Sequence, residues 1–98
     1  MPEPTIHIAA LNVELFIPAS NSLKTKRMVL RSIKDRLKNQ FNVSVAEVDY
    51  LDKWQRARLG IVMISSDKTV VEGSFQAILD FMETVRDTEI TQSNIEFL

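Results

Sequence analysis

Residues 43–65 read VSVAEVDYLDKWQRARLGIVMIS. Two runs rich in β-branched and apolar residues, VSVAEVD over 43–49 and RARLGIVMIS over 56–65, flank the polar segment YLDKWQ, so two strands follow one another through a turn or loop. Upstream, TIHIAALNVELFI (5–17) alternates in its second half, Leu11, Val13, Leu15 and Ile17 against Asn12 and Glu14, which is the period of a strand. Pro18 stops it and ASNS reads as a loop. Ser22 is placed to cap a helix running to about Gln40, with Val29, Leu30, Ile33, Leu37 and Phe41 on one face. Downstream, SSDKTVVEG opens a second helix capped by Ser66 or Asp67, whose buried face is Val71, Phe75, Ile78, Met82 and Val85. Gly73 weakens its first turns by roughly 1 kcal/mol relative to Ala. EITQSNIEFL (89–98) reads as a short fourth strand.

Strand, helix, strand, strand, helix, strand is the order of an α+β, ferredoxin-like βαββαβ sandwich, expected here as a single domain over residues 1–98. Right-handed crossovers place strand 1 between strands 4 and 3 of a four-stranded antiparallel sheet, with two helices on one face. The other face is left bare. If Leu11 to Ile17 point at the helices, alternation sends Ile6, Ile8 and Ala10 outward, and in strand 3 it sends Val62 and Ile64 outward with Leu59, Ile61 and Met63 inward. Antiparallel pairing brings Ile8 and Ala10 beside Val62 and Ile64, an apolar patch that predicts a dimer or partner interface. The opposite strand ends bring Glu14 near Arg56 and Arg58 as a charged rim. A bulge near Ala10 would instead switch the phase and bury everything on one side.

Composition excludes several chemistries. The chain of 98 residues has no cysteine, so disulfides, thiolate metal sites and cysteine nucleophiles are out. His7 is the single histidine, which leaves no histidine cluster for a metal, and two glycines cannot write a phosphate loop. No metal, cofactor or small-molecule substrate is expected. No apolar run reaches the roughly 18 residues of a membrane span, and MPEPTIHIAA lacks the pattern of a signal peptide, so a cytoplasmic protein without membrane contact is expected. Glu47, Asp49, Asp52 and Tyr50 could be drawn as acid, base or magnesium ligands. Carboxylates at i and i+2 share a strand face at ordinary surface frequency, however, and no catalytic residue is assigned.

The charge is unevenly spread. Residues 1–60 net +4 and residues 61–98 net −5, in a chain of net charge −1. SLKTKR (22–27) opens the first helix, where Lys24, Arg27, Arg31, Lys34 and Lys38 are spaced 3, 4, 3 and 4 and form one stripe beside the buried face. Such a row could neutralise successive phosphates of an RNA. It could equally be a solvated face, or be answered by Glu72, Asp80, Glu83 and Asp87 of the neighbouring helix. Trp54, flanked by Gln55, Arg56 and Arg58, either stacks on a base or partner or closes one end of the core. The outward face lacks the aromatic pair on strands 1 and 3 with which an RNA-recognition motif stacks bases, Phe16 being the nearby candidate, which argues against single-strand readout by the sheet.

SLKTKR, NVSVAEV (42–48) and WQRARLG (54–60) occur in order over a match spanning roughly residues 11–67. On these motifs the chain resembles the YlxP-like family of small bacterial proteins of unassigned function. The resemblance implies a ferredoxin-like fold and, through genes that lie among translation and ribosome-maturation factors, an RNA or ribosome role. Two positions depart from the pattern. Thr25 stands where the family commonly has a Glu that would complete a capping box with Ser22, and Tyr50 stands where His is common, which weakens a metal or acid–base role there. The expected protein is a non-enzymatic accessory factor touching ribosomal RNA or a ribosomal subunit through Lys24, Arg27, Arg31, Lys34 and Lys38, with Trp54 and Arg56. The alternative is a protein-binding or regulatory homodimer, joined through Ile8, Ala10, Val62 and Ile64, without nucleic-acid contact.

Overall fold

The structure, a computed structural model, describes residues 4–98. Its elements are β1 (His7–Phe16), α1 (Leu23–Gln40), β2 (Val43–Asp49), β3 (Arg56–Ser65), α2 (Lys68–Glu83) and β4 (Glu89–Phe97). The strands form one antiparallel sheet in the order β2-β3-β1-β4, the βαββαβ arrangement expected from the strand-strand pair at 43–65. β1 and β3 pair without interruption from His7↔Ser65 to Phe16↔Arg56, so no bulge near Ala10 switches the phase. Alternation therefore holds. Ala9, Leu11, Val13 and Leu15 of β1 and Ala57, Leu59, Ile61 and Met63 of β3 are buried against Leu30, Ile33 and Leu37 of α1 and Val71, Phe75, Ile78 and Met82 of α2. Val29, Phe41 and Val85 pack half-buried at the margin of that core.

Both helix starts are satisfied by side chains. Ser22 Oγ accepts from the Thr25 amide at 3.0 Å, and Asp67, rather than Ser66, caps α2 by accepting from the Thr69 amide at 2.9 Å. The Thr25 hydroxyl, 3.0 Å from Ser22 Oγ, also donates to Asn21 Oδ1 at 3.3 Å. A hydroxyl network thus occupies the position where a Glu would complete the capping box.

The least expected member of the interior is Lys26. Its spacing to Leu30, Ile33 and Leu37 puts it on the core face of α1, and it is fully buried. Its ammonium donates to the carbonyls of Tyr50 at 2.8 Å and Arg56 at 3.1 Å, and lies 2.9 Å from Glu47 Oε2. No hydrogen bond reaches that buried carboxylate oxygen among the described residues, so the Lys26 charge itself is what compensates it. One side chain thereby ties α1 to both sides of the β2–β3 connection. Tyr50 sits there at φ 60, in the left-handed region that non-glycine residues seldom adopt, while its carbonyl also accepts from the Lys53 amide at 3.0 Å.

Two outcomes are expected for stability. Gly73 is exposed on α2 and nothing stands within 4 Å of where its Cβ would be, so Gly73→Ala should stabilise by about 0.5–1 kcal/mol in denaturant melts. Lys26→Met should cost about 3–5 kcal/mol by leaving Glu47 and two carbonyls without their partner. Adding Glu47→Leu should recover part of that loss. Simple additivity of the two substitutions would show that no charge pair operates there.

Candidate nucleic-acid interface

One residue beyond the core face of α1, Arg27, Arg31, Lys34 and Lys38 line a groove of about 210 Å³ with Leu30, Asp35 and Glu47 of β2. Four cations thus face two carboxylates, and Glu47 is already paired to Lys26. Lys24 is exposed at the start of the helix and does not line the groove. Among the described residues none of these five enters an ion pair. The pairs present are Lys26–Glu47, Arg58–Glu14 and Arg58–Asp49. The acids of α2 do not answer the stripe, because it turns toward β2, whereas the flank of α1 that meets α2 carries Arg36, its guanidinium 4.5 Å from the Phe81 ring centroid. Asp80 accepts instead from Gln76 at 2.9 Å.

Trp54 and Arg56 belong to a second place. Trp54 does not close the core: it is 56% exposed, and it shares an open hollow of about 430 Å³ with Phe16, Lys53, Gln55 and Arg56. The connection is held to the end of β1 by backbone and side chain together. The Ile17 amide donates to the Gln55 carbonyl at 2.8 Å, and Gln55 Nε2 donates to the carbonyls of Pro18 at 3.0 Å and Ser20 at 3.3 Å. Arg56 pairs with Phe16 at the end of the sheet and points away from the helices, since Ala57 beside it is buried inward. The seven residues expected to meet RNA therefore divide: four share the groove, Lys24 stands at its N-terminal end, and Trp54 with Arg56 face the bare side.

Next along the bare face, Arg58 pairs with Glu14 at 3.2 Å across β1 and β3. The Thr91 hydroxyl donates to Glu14 Oε2 at 2.7 Å. That hydrogen bond first, then those of the Tyr50 hydroxyl and Arg58, with the charge of Arg56, hold the Glu14 carboxyl below its ordinary value against the opposing effect of desolvation. Asp49 joins the same cluster at 3.9 Å from Arg58. Glu47 and Asp49 do not share a face, because the β2–β3 register slips between them, sending Glu47 inward to Lys26 and Asp49 outward to Arg58. The Tyr50 ring lies 5.8 Å from the Arg56 guanidinium and 5.7 Å from that of Arg58. Beside them Asn12, Glu14, Arg58, Gln92 and Asn94 line a shallow basin of about 150 Å³. Sequence reasoning did not single out Asn12, Gln92 or Asn94. The available signal was Asn12, a poor strand former at the middle of a central strand.

The other half of the bare face is apolar on its two central strands, with Ser44 of β2 beside Val62 and Glu96 of β4 beside Ala10. Ile8 pairs with Ile64 and Ala10 with Val62, with Ile64 52% and Val62 41% exposed. His7 is half-buried at the start of β1, opposite Ser65. Among the described residues no group of three or more His, Asp or Glu gathers as a metal set, and no helix is long and apolar enough to cross a membrane.

Residues 8–95 match the family described as "Protein of unknown function (DUF503)". Over 84 residues the chain is 39% identical to "Uncharacterized protein YlxP" of Bacillus subtilis (strain 168), an alignment covering 86% of this chain and 91% of that protein. Among solved structures, the designed protein Foldit4 superposes with a TM-score of 0.56 at 12% identity, covering 95% of this chain and 96% of that one. A structural-genomics protein, YJCS, gives 0.52 at 11% identity over 91% and 96%. These two likenesses speak to the fold alone.

Proposed function

Since the chain belongs to the DUF503 family of unknown function, we propose that it is a non-enzymatic accessory factor of translation or ribosome maturation that contacts RNA through α1. The observation that carries this reading is the groove of Arg27, Arg31, Lys34 and Lys38, four cations along 12 residues of helix without an ion-pair partner among the described residues. A helix rises about 1.5 Å per residue, so this row is long enough to follow several consecutive phosphates. The carboxylates of the chain's second half keep the opposite pole negative, which orients the groove toward a polyanion even at a net charge of −1. The choice of ribosomal RNA or a ribosomal subunit as target rests on the YlxP-like resemblance.

Neutralising about four phosphates releases their counterions, so affinity for structured RNA should fall on the order of 10²-fold between about 50 and 200 mM salt. Arg27→Glu with Arg31→Glu and Lys34→Glu should abolish binding to ribosomal subunits and total structured RNA without changing the melting temperature by more than a few degrees. Wild-type protein that fails to bind at low salt would overturn the reading.

A second reading, a homodimer joined through the apolar half of the sheet, is favoured by the strip of exposed Val62 and Ile64 with half-buried Ile8 and Ala10. These four side chains carry no charge, and the charge beside them on that face is Glu96, the cross-strand partner of Ala10. Sedimentation should then show a dimer at micromolar concentration, insensitive to salt and converted to monomer by Ile64→Glu. A wild-type monomer at every concentration would exclude it.

A further inference from the structure

We infer that the polar half of the bare sheet face reads an unpaired nucleotide: a base stacks in the hollow between Trp54 and Phe16, and its hydrogen-bonding edge meets the basin of Asn12, Glu14, Arg58, Gln92 and Asn94. This rests on the RNA reading of α1 and specifies what form of RNA the protein takes.

The aromatic surface missing from the strands is supplied by the β2–β3 connection. Trp54, an exposed side chain on a connection held by three hydrogen bonds to the end of β1, is a flat apolar surface presented to water beside Phe16 and Arg56. Stacking is the interaction such a surface offers, since every base has a π-face, and guanidinium groups add cation–π attraction. The hollow of about 430 Å³ lies within the range of roughly 300–1,000 Å³ common for small-ligand sites. Lys53 and Arg56 at its wall are suited to the phosphate that accompanies a base.

The basin supplies the selectivity that stacking lacks. Asn12 and Asn94 are direct cross-strand partners, and Gln92 pairs with Glu14 just before the register shift between Glu14 and Leu15, so their side chains share one face of β1 and β4. None of the three amides enters a side-chain hydrogen bond among the described residues, leaving donors and acceptors free in a hollow they themselves line. Glu14 stays ionised, held by Thr91 and Arg58, and accepts hydrogen bonds only. An amide pair with a carboxylate and a guanidinium matches the mixed donor and acceptor edge of a nucleobase better than it matches a hydrocarbon or a bare phosphate. Tyr50 adds a strained element at the same spot. Its left-handed backbone, fixed from inside by Lys26, sets its ring against Arg56 and Arg58 between hollow and basin.

Trp54 is the chain's single tryptophan, so its emission reports the site directly. Single-stranded hexaribonucleotides of each base should quench it saturably, with one base preferred, whereas a fully paired hairpin RNA should leave it nearly unchanged. With labelled hexamers followed by anisotropy, Trp54→Ala should weaken binding about tenfold and Trp54→Phe should restore most of it, as stacking requires. Asn12→Ala with Asn94→Ala should erase the base preference while general affinity persists. If RNA binds with the expected salt dependence but leaves Trp54 emission and the Trp54→Ala affinity unchanged, the base site falls and the α1 reading stands. Loss of all RNA binding would remove both, and would leave Trp54 as an anchor for a protein partner.

Discussion

A single buried ammonium group organises this domain. Lys26 brings to the core face of α1 a charge that, among the described residues, Glu47 and the carbonyls of Tyr50 and Arg56 on either side of the β2–β3 connection answer. Buried ion pairs are seldom a net gain over apolar packing, because desolvation offsets their attraction, and their value lies in what they permit. Here an apolar residue at position 26 could press α1 on the sheet, but it could not hold Tyr50 in a left-handed turn or specify which carbonyls face inward. The arrangement selects one path for the connection, and that path carries every aromatic residue of the bare face except Phe16.

The second organising constraint is the unbroken β1–β3 register. With Leu11, Val13, Leu15 and Ile17 committed to the helices, each intervening residue faces the bare side, and the chain fills those positions in two blocks. Ile8, Ala10, Val62 and Ile64 make one end apolar. Asn12, Glu14, Arg58 and Gln92 make the other polar and hydrogen-bonding. On the two central strands this segregation gives two surfaces with different chemistry, flanked by Glu96 beside the apolar block and by Val48, packed over Gly60, beside the polar one.

Most of the fold was legible because it is written in periods. The 2.0 and 3.6 repeats located the six elements, and Ser22, Pro18 and Asp67 marked ends where chain geometry demands particular residues. The site was less legible, for three local reasons. Lys26 stands in a run of three cations and reads as surface charge, although its spacing to Leu30, Ile33 and Leu37 already placed it in the core stripe. The register slip after Glu47 parts two carboxylates that simple alternation puts together, and a slip is fixed by strand pairing rather than by the strand's own residues. Trp54 had two settings, stacking in the open or closing one end of the core, and the second is the commoner for a Trp. Gln55, by bonding the carbonyls of Pro18 and Ser20, decides for the exposed one, and that contact spans 35 residues or more of chain.

The α1 groove and the base-reading basin lie on opposite layers of the sheet, which limits how one RNA can use both. Around the β4 edge a polyanion meets Glu89 and Glu96 together with the acids of α2, an unfavourable path for phosphates. Around the β2–β3 connection it meets Lys53, Arg56 and Lys24 against Asp52, with Asp49 drawn to Arg58. A strand that engages both layers therefore leaves the groove at the N-terminal end of α1 and turns over the connection that Lys26 pins. A paired helix resists that turn, since bending even a DNA duplex of roughly 20–30 bp by 40–90° costs about 1–6 kcal/mol, while an unpaired segment makes it at little cost. An RNA bound at both proposed surfaces would therefore bring unpaired nucleotides to the sheet, the form that the base-reading proposal requires.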